Sequence, residues 1–254
     1  MGDLLQFRGY ELPVSLVMKT GSGTHNFEKI ADWHVSQLQK YIGIKCTDSV
    51  VEIGCGIGRI AIPLTEMLTE GRYLGTEVIR PSVDWLSENI AAKYNNFRFA
   101  HHDIHDTLHN PNGTMHAADI RLPVDDKSVD VIFLQSVFTH MMEDEIVHYL
   151  REFARILKPG GRVSASCFLV NDKALNAVRD APPEGWSVQF KYPVGDRCYI
   201  NSKQEPRAAV AFEDDKFISM IEAAGLQVDQ ILWGTWSGTR ENPRSGQDVA
   251  ILKP

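Results

Sequence analysis

The chain has 254 residues, 43% hydrophobic and 23% charged, a composition that suits one soluble α/β domain and needs no disulfide staples. A formal net charge of −7 argues against a large nucleic-acid footprint, which requires a basic face. No stretch approaches the roughly 20 apolar residues that span a bilayer, and the start, Met1–Arg8, lacks a basic segment followed by an apolar run. Four cysteines at 46, 55, 167 and 198 contain no Cys-x-x-Cys pair, so reduced thiols and a cytoplasmic location are expected.

Strand-like and helix-like stretches alternate from about residue 48. Ser49–Ile53 reads as a short buried strand, followed by a glycine cluster and a helix over Arg59–Thr69. Tyr73–Val78 is a second strand, and Pro81 suits the first turn of a helix running to about Tyr94. Phe97–His101 and Val129–Leu134 are the third and fourth strands. Between Glu143 and Leu157 the apolar residues Ile146, Val147, Leu150, Phe153, Ala154 and Leu157 recur at helical spacing. Lys158-Pro159-Gly160-Gly161 stops that helix, and Arg162–Leu169 returns as a fifth strand. A helix over Glu213–Ala224 ends at Gly225, and Leu226–Trp233 and Asp248–Leu252 complete seven strands. This alternation predicts an α/β fold, a doubly wound and mostly parallel seven-stranded sheet with helices on both faces.

Two regions break the rhythm. Residues 1–45 carry a helical pattern around Phe27–Tyr41 and read as an N-terminal helical cap. The remaining 46–254 form the main domain, interrupted at about 170–212 by a stretch with prolines at 182, 183, 193 and 206. Ligands of open α/β sheets sit beyond the carboxyl ends of the strands, where such regions can cover them. Both are candidate substrate covers; extra packing is the alternative.

The segment Glu52-Ile53-Gly54-Cys55-Gly56-Ile57-Gly58-Arg59 carries most of the functional information. A buried strand enters alternate glycines and then a helix, so the backbone can turn sharply and approach a ligand. A dinucleotide fingerprint counted from Gly54 would place its third glycine at 59, where Arg59 stands. Glu77 ends the second strand 25 residues after Glu52, where a carboxylate can accept from both hydroxyls of a ribose.

The form Glu-x-Gly-x-Gly-x-Gly resembles the first motif of class I S-adenosylmethionine-dependent methyltransferases. Arg155-Ile156-Leu157-Lys158-Pro159-Gly160-Gly161 is similar to the helix-to-strand corner of that family, and the matches cover about residues 48–170. The resemblance implies S-adenosylmethionine as cofactor. Gly54, Cys55, Gly56 and Gly58 would bend around its methionine part and ribose, and Glu52 would lie near its amino group. Glu77, beside Val78, would take the ribose, Asp103 and Ile104 the adenine, and Gln135 would sit at the end of the fourth strand. Asp119, in Asp119-Ile120-Arg121-Leu122-Pro123, competes with Asp103 for the adenine; Asp103 is preferred because Phe97–His101 is the better strand.

Chemistry is expected where the fourth strand ends, in Gln135-Ser136-Val137-Phe138-Thr139-His140. Histidine as a residue type titrates near neutral pH, which makes His140 the candidate catalytic base; a purely packing role is the alternative. His101, His102, His105 and His109 form a histidine-rich stretch without a recognisable ligand spacing, so no metal is expected. Trp233-Gly234-Thr235-Trp236 could line a pocket or fill a core. Gln135-Ser136-Val137-Phe138 departs from the Asn/Asp-Pro-Pro-Tyr/Phe of nucleic-acid methyltransferases, which leaves a small molecule, possibly sugar-containing, as substrate. A non-catalytic S-adenosylmethionine-binding partner subunit is the main rival. An NAD(P)-dependent oxidoreductase is opposed by Arg59 at the third glycine position.

Overall fold

The computed structural model describes residues 2–21 and 23–254. Two compact units divide the chain, residues 1–116 with 128–133 and residues 117–127 with 134–254.

The first unit opens on a hairpin that the sequence reading did not anticipate. Leu4–Phe7 (β1) pairs antiparallel with Tyr10–Pro13 (β2). The turn residues Arg8 and Gly9 both have positive φ, 47° and 80°, the twist that two-residue hairpins need. Strands of four residues leave too little alternation to register, and Arg-Gly is a weaker turn signal than Asn-Gly. Val14–Val17 (α1) and Phe27–Gln37 (α2) follow, the latter continuing through a π turn, Leu38–Ile42, to Gly43.

Ser49–Ile53 (β3) leads through the glycine loop to Ala61–Leu64 (α3), much shorter than the helix expected over Arg59–Thr69. Pro63 has no N–H to donate, and beyond it Thr65, Glu66 and Met67 bond three residues back, to Ile62, Pro63 and Leu64, in 3₁₀ fashion. Arg72–Glu77 (β4), Arg80–Leu86 (α4, with Pro81 in its first turn), Phe97–His101 (β5) and Val129–Leu134 (β6) complete this unit, apart from Leu134. Strand β3 runs parallel to β4, and β4 to β5. The core joins Val50, Tyr73, Phe97, Val131 and Phe133 of the strands to Phe7, Leu12, Phe27, Ala31 and Leu38 of the N-terminal segment. Burying each such side chain is worth roughly 1.5–3 kcal/mol, so the hairpin and α2 are held by packing.

In the second unit Glu143–Ile156 (α5) runs without a gap into Leu157–Cys167 (β7), so the Lys-Pro-Gly-Gly corner is itself extended. The strand expected to reach Leu169 divides at Phe168. Leu169–Val170 (β8) joins a separate sheet with Tyr192–Val194 (β9), Cys198–Ile200 (β10) and Val210–Glu213 (β11), in the order β8-β11-β10-β9. Asp172–Asp180 (α6) begins at Asn171, whose side chain accepts from Ala174 N at 3.0 Å. Asp214–Ala223 (α7), Gln227–Leu232 (β12) and Asp248–Lys253 (β13) end the chain.

The central sheet has the expected seven strands, mostly parallel, in the order β12-β13-β7-β6-β3-β4-β5. Strand β13 is antiparallel to both neighbours. The chain runs from β3 out to β5 and then returns to β6 on the other side of β3. That reversal makes the crevice beyond the end of β3 the place where such sheets bind ligands. Among the described residues no helix is long and apolar enough to cross a membrane.

Candidate active site

The glycine loop emerges at that reversal. Gly54, Gly56 and Gly58 all lie in the left-handed region, with φ of 73°, 56° and 85°. At Gly58 a Cβ would also stand 2.6 Å from Leu86 Cδ2, so both backbone and space select glycine there. Gly54 N and Cys55 N donate to Thr76 O at 2.8 and 3.0 Å, which pins the loop to the end of β4. The buried Cys55 thiol turns toward Gly75, so any ligand contact at Cys55 comes from its backbone.

Glu77 closes the loop from the other side. Its Oε2 accepts from Gly56 N at 2.6 Å, and its Oε1 from Val78 N at 2.8 Å and Ile79 N at 3.0 Å. Burial pushes this carboxyl up from its ordinary value, opposed by the three N–H donors. A carboxylate offers about four acceptor directions, so Oε2 keeps capacity for a ligand hydroxyl. His101 Nε2 lies 3.0 Å from Val78 O and, against a carbonyl, must donate. His102 N bonds Glu77 O at 3.0 Å, which carries the chain leaving β5 along the end of β4 and sets Asp103 nearby.

Beneath the loop lies a buried polar group that sequence reading only half saw. The Tyr73 hydroxyl donates to Glu52, and burial pushes the Glu52 carboxyl up to about 8, against the pull of Tyr73 and the Arg59 charge. Arg59 is largely buried, its Nε has no hydrogen-bond partner, and its guanidinium sits 5.9 Å from the Phe27 ring. His34 of α2 is held neutral, its pKa lowered to about 3 by burial and by Arg59. In the sequence, the signal for this role of Arg59 is its charge one residue beyond the last glycine.

This group makes stability depend on pH. Glu52 titrates near 4.5 when unfolded and near 8 when folded, so its favourable contribution is complete below pH 4.5 and is lost as pH rises toward 8. The loss is roughly 5 kcal/mol at most. Thermal unfolding followed from pH 5 to 8 should therefore show a markedly flatter profile for Glu52→Gln than for the wild type. Parallel profiles would remove the buried carboxyl from this account.

Asp103 accepts from Thr114 Oγ1 at 2.8 Å, Asn110 Nδ2 at 3.2 Å and Thr114 N at 3.3 Å, bonds that hold its carboxyl below the usual range. Ile104 is buried, and Gly113 packs so closely on its carbonyl that a Cβ would come within 2.2 Å. Asp119 is exposed in a 3₁₀ turn, Ala117–Asp119, of the other unit. Within the histidine-rich stretch His109 Nδ1 pairs with Asp106 Oδ1 at 3.0 Å. Among the described residues no cluster of three His, Cys, Asp or Glu side chains could hold a metal.

Gln135 and His140 belong to the second unit. Ser136, at φ 57°, turns the chain out of β6, donating from N to Ser166 Oγ at 2.6 Å and from Oγ to Gln247 Oε1 at 3.1 Å. Gln135 Nε2 reaches the same Gln247 oxygen at 3.5 Å. His140 is partly exposed, and its Nδ1 lies 2.7 Å from Arg207 O. Trp236 packs in a core. It is fully buried against Phe168 and Phe190, with ring centroids 5.3 and 5.5 Å away.

A family model described as a methyltransferase domain matches residues 51–165, from β3 through the glycine loop to β7. Residues 51–165 thus match a methyltransferase domain, and the fold is that of class I methyltransferases. Methyltransferase GfsG of Streptomyces halstedii is 27% identical over 192 residues, covering 76% of this chain and 57% of that protein. An uncharacterised methyltransferase of Schizosaccharomyces pombe is 27% identical over 133 residues, covering 50% of this chain and 41% of that protein. The chain thus spans about half the length of these curated relatives. The PH0226 protein of Pyrococcus horikoshii shares the fold, with a TM-score of 0.58, 14% identity and coverage of 91% of this chain and 92% of that one.

The residues of the domain fit S-adenosylmethionine. A cradle of left-handed glycines, a buried carboxylate at the end of β4, a second acid in Glu52 and a largely buried guanidinium with an unpaired Nε match a ligand bearing a diol, an ammonium and a carboxylate.

Proposed function

We propose that the protein transfers the methyl group of S-adenosylmethionine to an oxygen or nitrogen of a small molecule, with sugars and secondary metabolites the classes to screen first. The observation that carries this reading is the Glu77 carboxylate bonded across the glycine loop to Gly56 N, which presets an acid beside a backbone cradle. Glu77 takes the ribose hydroxyls, Asp103 the adenine amino group, with Ile104 and Val78 beside the ring. Glu52 faces the ammonium and Arg59 the carboxylate of the methionine end. The cofactor supplies a methyl carbon made electrophilic by the sulfonium. Gln135 stands at the end of β6, and His140 takes the proton that the acceptor gives up. The N-terminal segment covers the cofactor and residues 170–212 cover the substrate.

Calorimetric titration with S-adenosylhomocysteine, with NAD alongside, tests the cofactor assignment. Micromolar or tighter binding of the first alone is expected; binding of neither would reduce the glycine loop to architecture. Binding without turnover across a broad panel of hydroxylated and amine compounds would favour the non-catalytic partner subunit. Arg59→Met should weaken S-adenosylhomocysteine binding by about 10- to 150-fold, the worth of one charge-assisted bond. Its melting temperature should hold or rise, because a largely buried charge whose Nε makes no hydrogen bond is removed. Unchanged affinity would take Arg59 out of the cofactor site.

A further inference from the structure

The 3₁₀ turn Pro206–Ala208 packs against the 3₁₀ turn Phe138–His140, and the contact is specific. His140 Nδ1 lies 2.7 Å from the Arg207 carbonyl oxygen. A carbonyl can only accept, so Nδ1 carries the hydrogen and Nε2 is the nitrogen that gains and loses a proton. The carbonyl is itself held in place. Arg207 Nη1 donates to Glu145 Oε2 at 2.7 Å and Nη2 donates to Oε1 at 2.9 Å, a bidentate fork. Nη1 also lies 3.4 Å from His140 O, so side chain and backbone of Arg207 grip the histidine at two points. Glu145, its side chain 2% exposed, accepts in addition from Met142 N at 2.9 Å at the start of α5.

We propose that Arg207 is a positioning residue that holds His140 in the Nδ1–H tautomer, so that Nε2 receives the acceptor's proton. This rests on the methyl-transfer reading above. As the acceptor's lone pair forms its bond to the methyl carbon, the carbon–sulfur bond breaks with its electron pair going to sulfur, and the acceptor's proton passes to Nε2. The Nδ1–H bond to Arg207 then becomes charge-assisted, so the same contact suits the ring before and after it is protonated. A solvated imidazole side chain favours the opposite, Nε2–H form; the orientation is imposed by the protein.

The test is nitrogen NMR of the full chain carrying ring-¹⁵N histidine, with His140 assigned by its loss in His140→Gln. The wild type should show a protonated Nδ1 and an unprotonated Nε2 in neutral His140. Arg207→Met should shift the ring toward the Nε2–H form, and Arg207→Lys should fall between, since an ammonium cannot reproduce the fork. A wild-type ring in the Nε2–H form overturns the proposal, even if Arg207→Met does not fold. An unchanged tautomer in a folded Arg207→Met protein overturns it too. S-adenosylhomocysteine titration of the same samples separates the two readings. Absent binding with the Nδ1–H tautomer strikes the cofactor assignment, and the reverse tautomer in a protein that binds strikes this one.

Discussion

Glu77→Ala should lose S-adenosylhomocysteine binding by two to four orders of magnitude. Two charge-assisted bonds to ribose hydroxyls at roughly 1.5–3 kcal/mol each amount to about 3–6 kcal/mol, and every 1.4 kcal/mol is tenfold. The substitution also strips Gly56 N, Val78 N and Ile79 N of their acceptor, so the loop loses the tie that shapes it. Glu77→Gln separates the two contributions. Its amide keeps one oxygen for these donors but turns an NH₂ toward the others, and it should bind better than the alanine variant yet worse than the wild type. Calorimetry on proteins with wild-type circular dichroism makes the comparison, and a dissociation constant for Glu77→Ala within threefold of the wild type would remove the ribose assignment.

Asp248→Ala should lower stability by about 3–6 kcal/mol. The Asp248 carboxylate is completely buried and accepts from Leu169 N at 2.9 Å, Gly234 N at 2.8 Å and Trp236 Nε1 at 2.7 Å. Alanine leaves three buried donors without a partner, at roughly 1–3 kcal/mol each, partly offset by the charge no longer buried. A protein of this size melts some 2–4 °C lower per kcal/mol, so the midpoint should drop by roughly 10–20 °C. Burial pushes the Asp248 pKa up to about 6 from 3.8, against the three N–H donors and Arg240. The neutral form is therefore favoured in the fold, and the group's contribution is complete below pH 3.8 and declines as pH rises through 6. Asp248→Asn, which cannot titrate, should lack that decline. Scanning calorimetry at pH 4, 5, 6 and 7 reads both effects, and a variant that melts with the wild type at every pH would refute them.

The sheet was legible because its strands are short apolar runs bounded by strong punctuation. Ser49–Ile53, Phe97–His101 and Val129–Leu134 coincide with β3, β5 and β6, and Gly225 marks the end of α7 as expected. What escaped were features decided by distant partners. The β1–β2 hairpin is stabilised by Phe7 and Leu12 entering a core completed by later residues. The split at Phe168 depends on Asp248, 80 residues away in sequence. At the site, the glycines and Glu77 were readable because backbone conformation and strand-end chemistry restrict those residue types. Tyr73 as the partner of Glu52, and Arg207 as that of His140, were not, since each contact is made between segments far apart in sequence.

The second sheet has a consequence for how such a chain diversifies. Phe168, Val170, Leu175, Val178, Phe190 and Ala211 form a cluster of their own, closed by Trp236. Residues from Phe168 to Glu213 are thus a cassette with two seams, one after Cys167 and one before Asp214. Recombination at those seams could exchange the whole piece and leave the pairing of β7 with β13 intact. The incoming piece would have to satisfy inherited demands: an apolar face for the Trp236 indole, an N–H for the Asp248 carboxylate, and the contacts that Arg207 makes with His140 and Glu145. If this piece covers the substrate as proposed, acceptor specificity in such a lineage could then change by replacement of a block, faster than residue-by-residue drift within the sheet would allow.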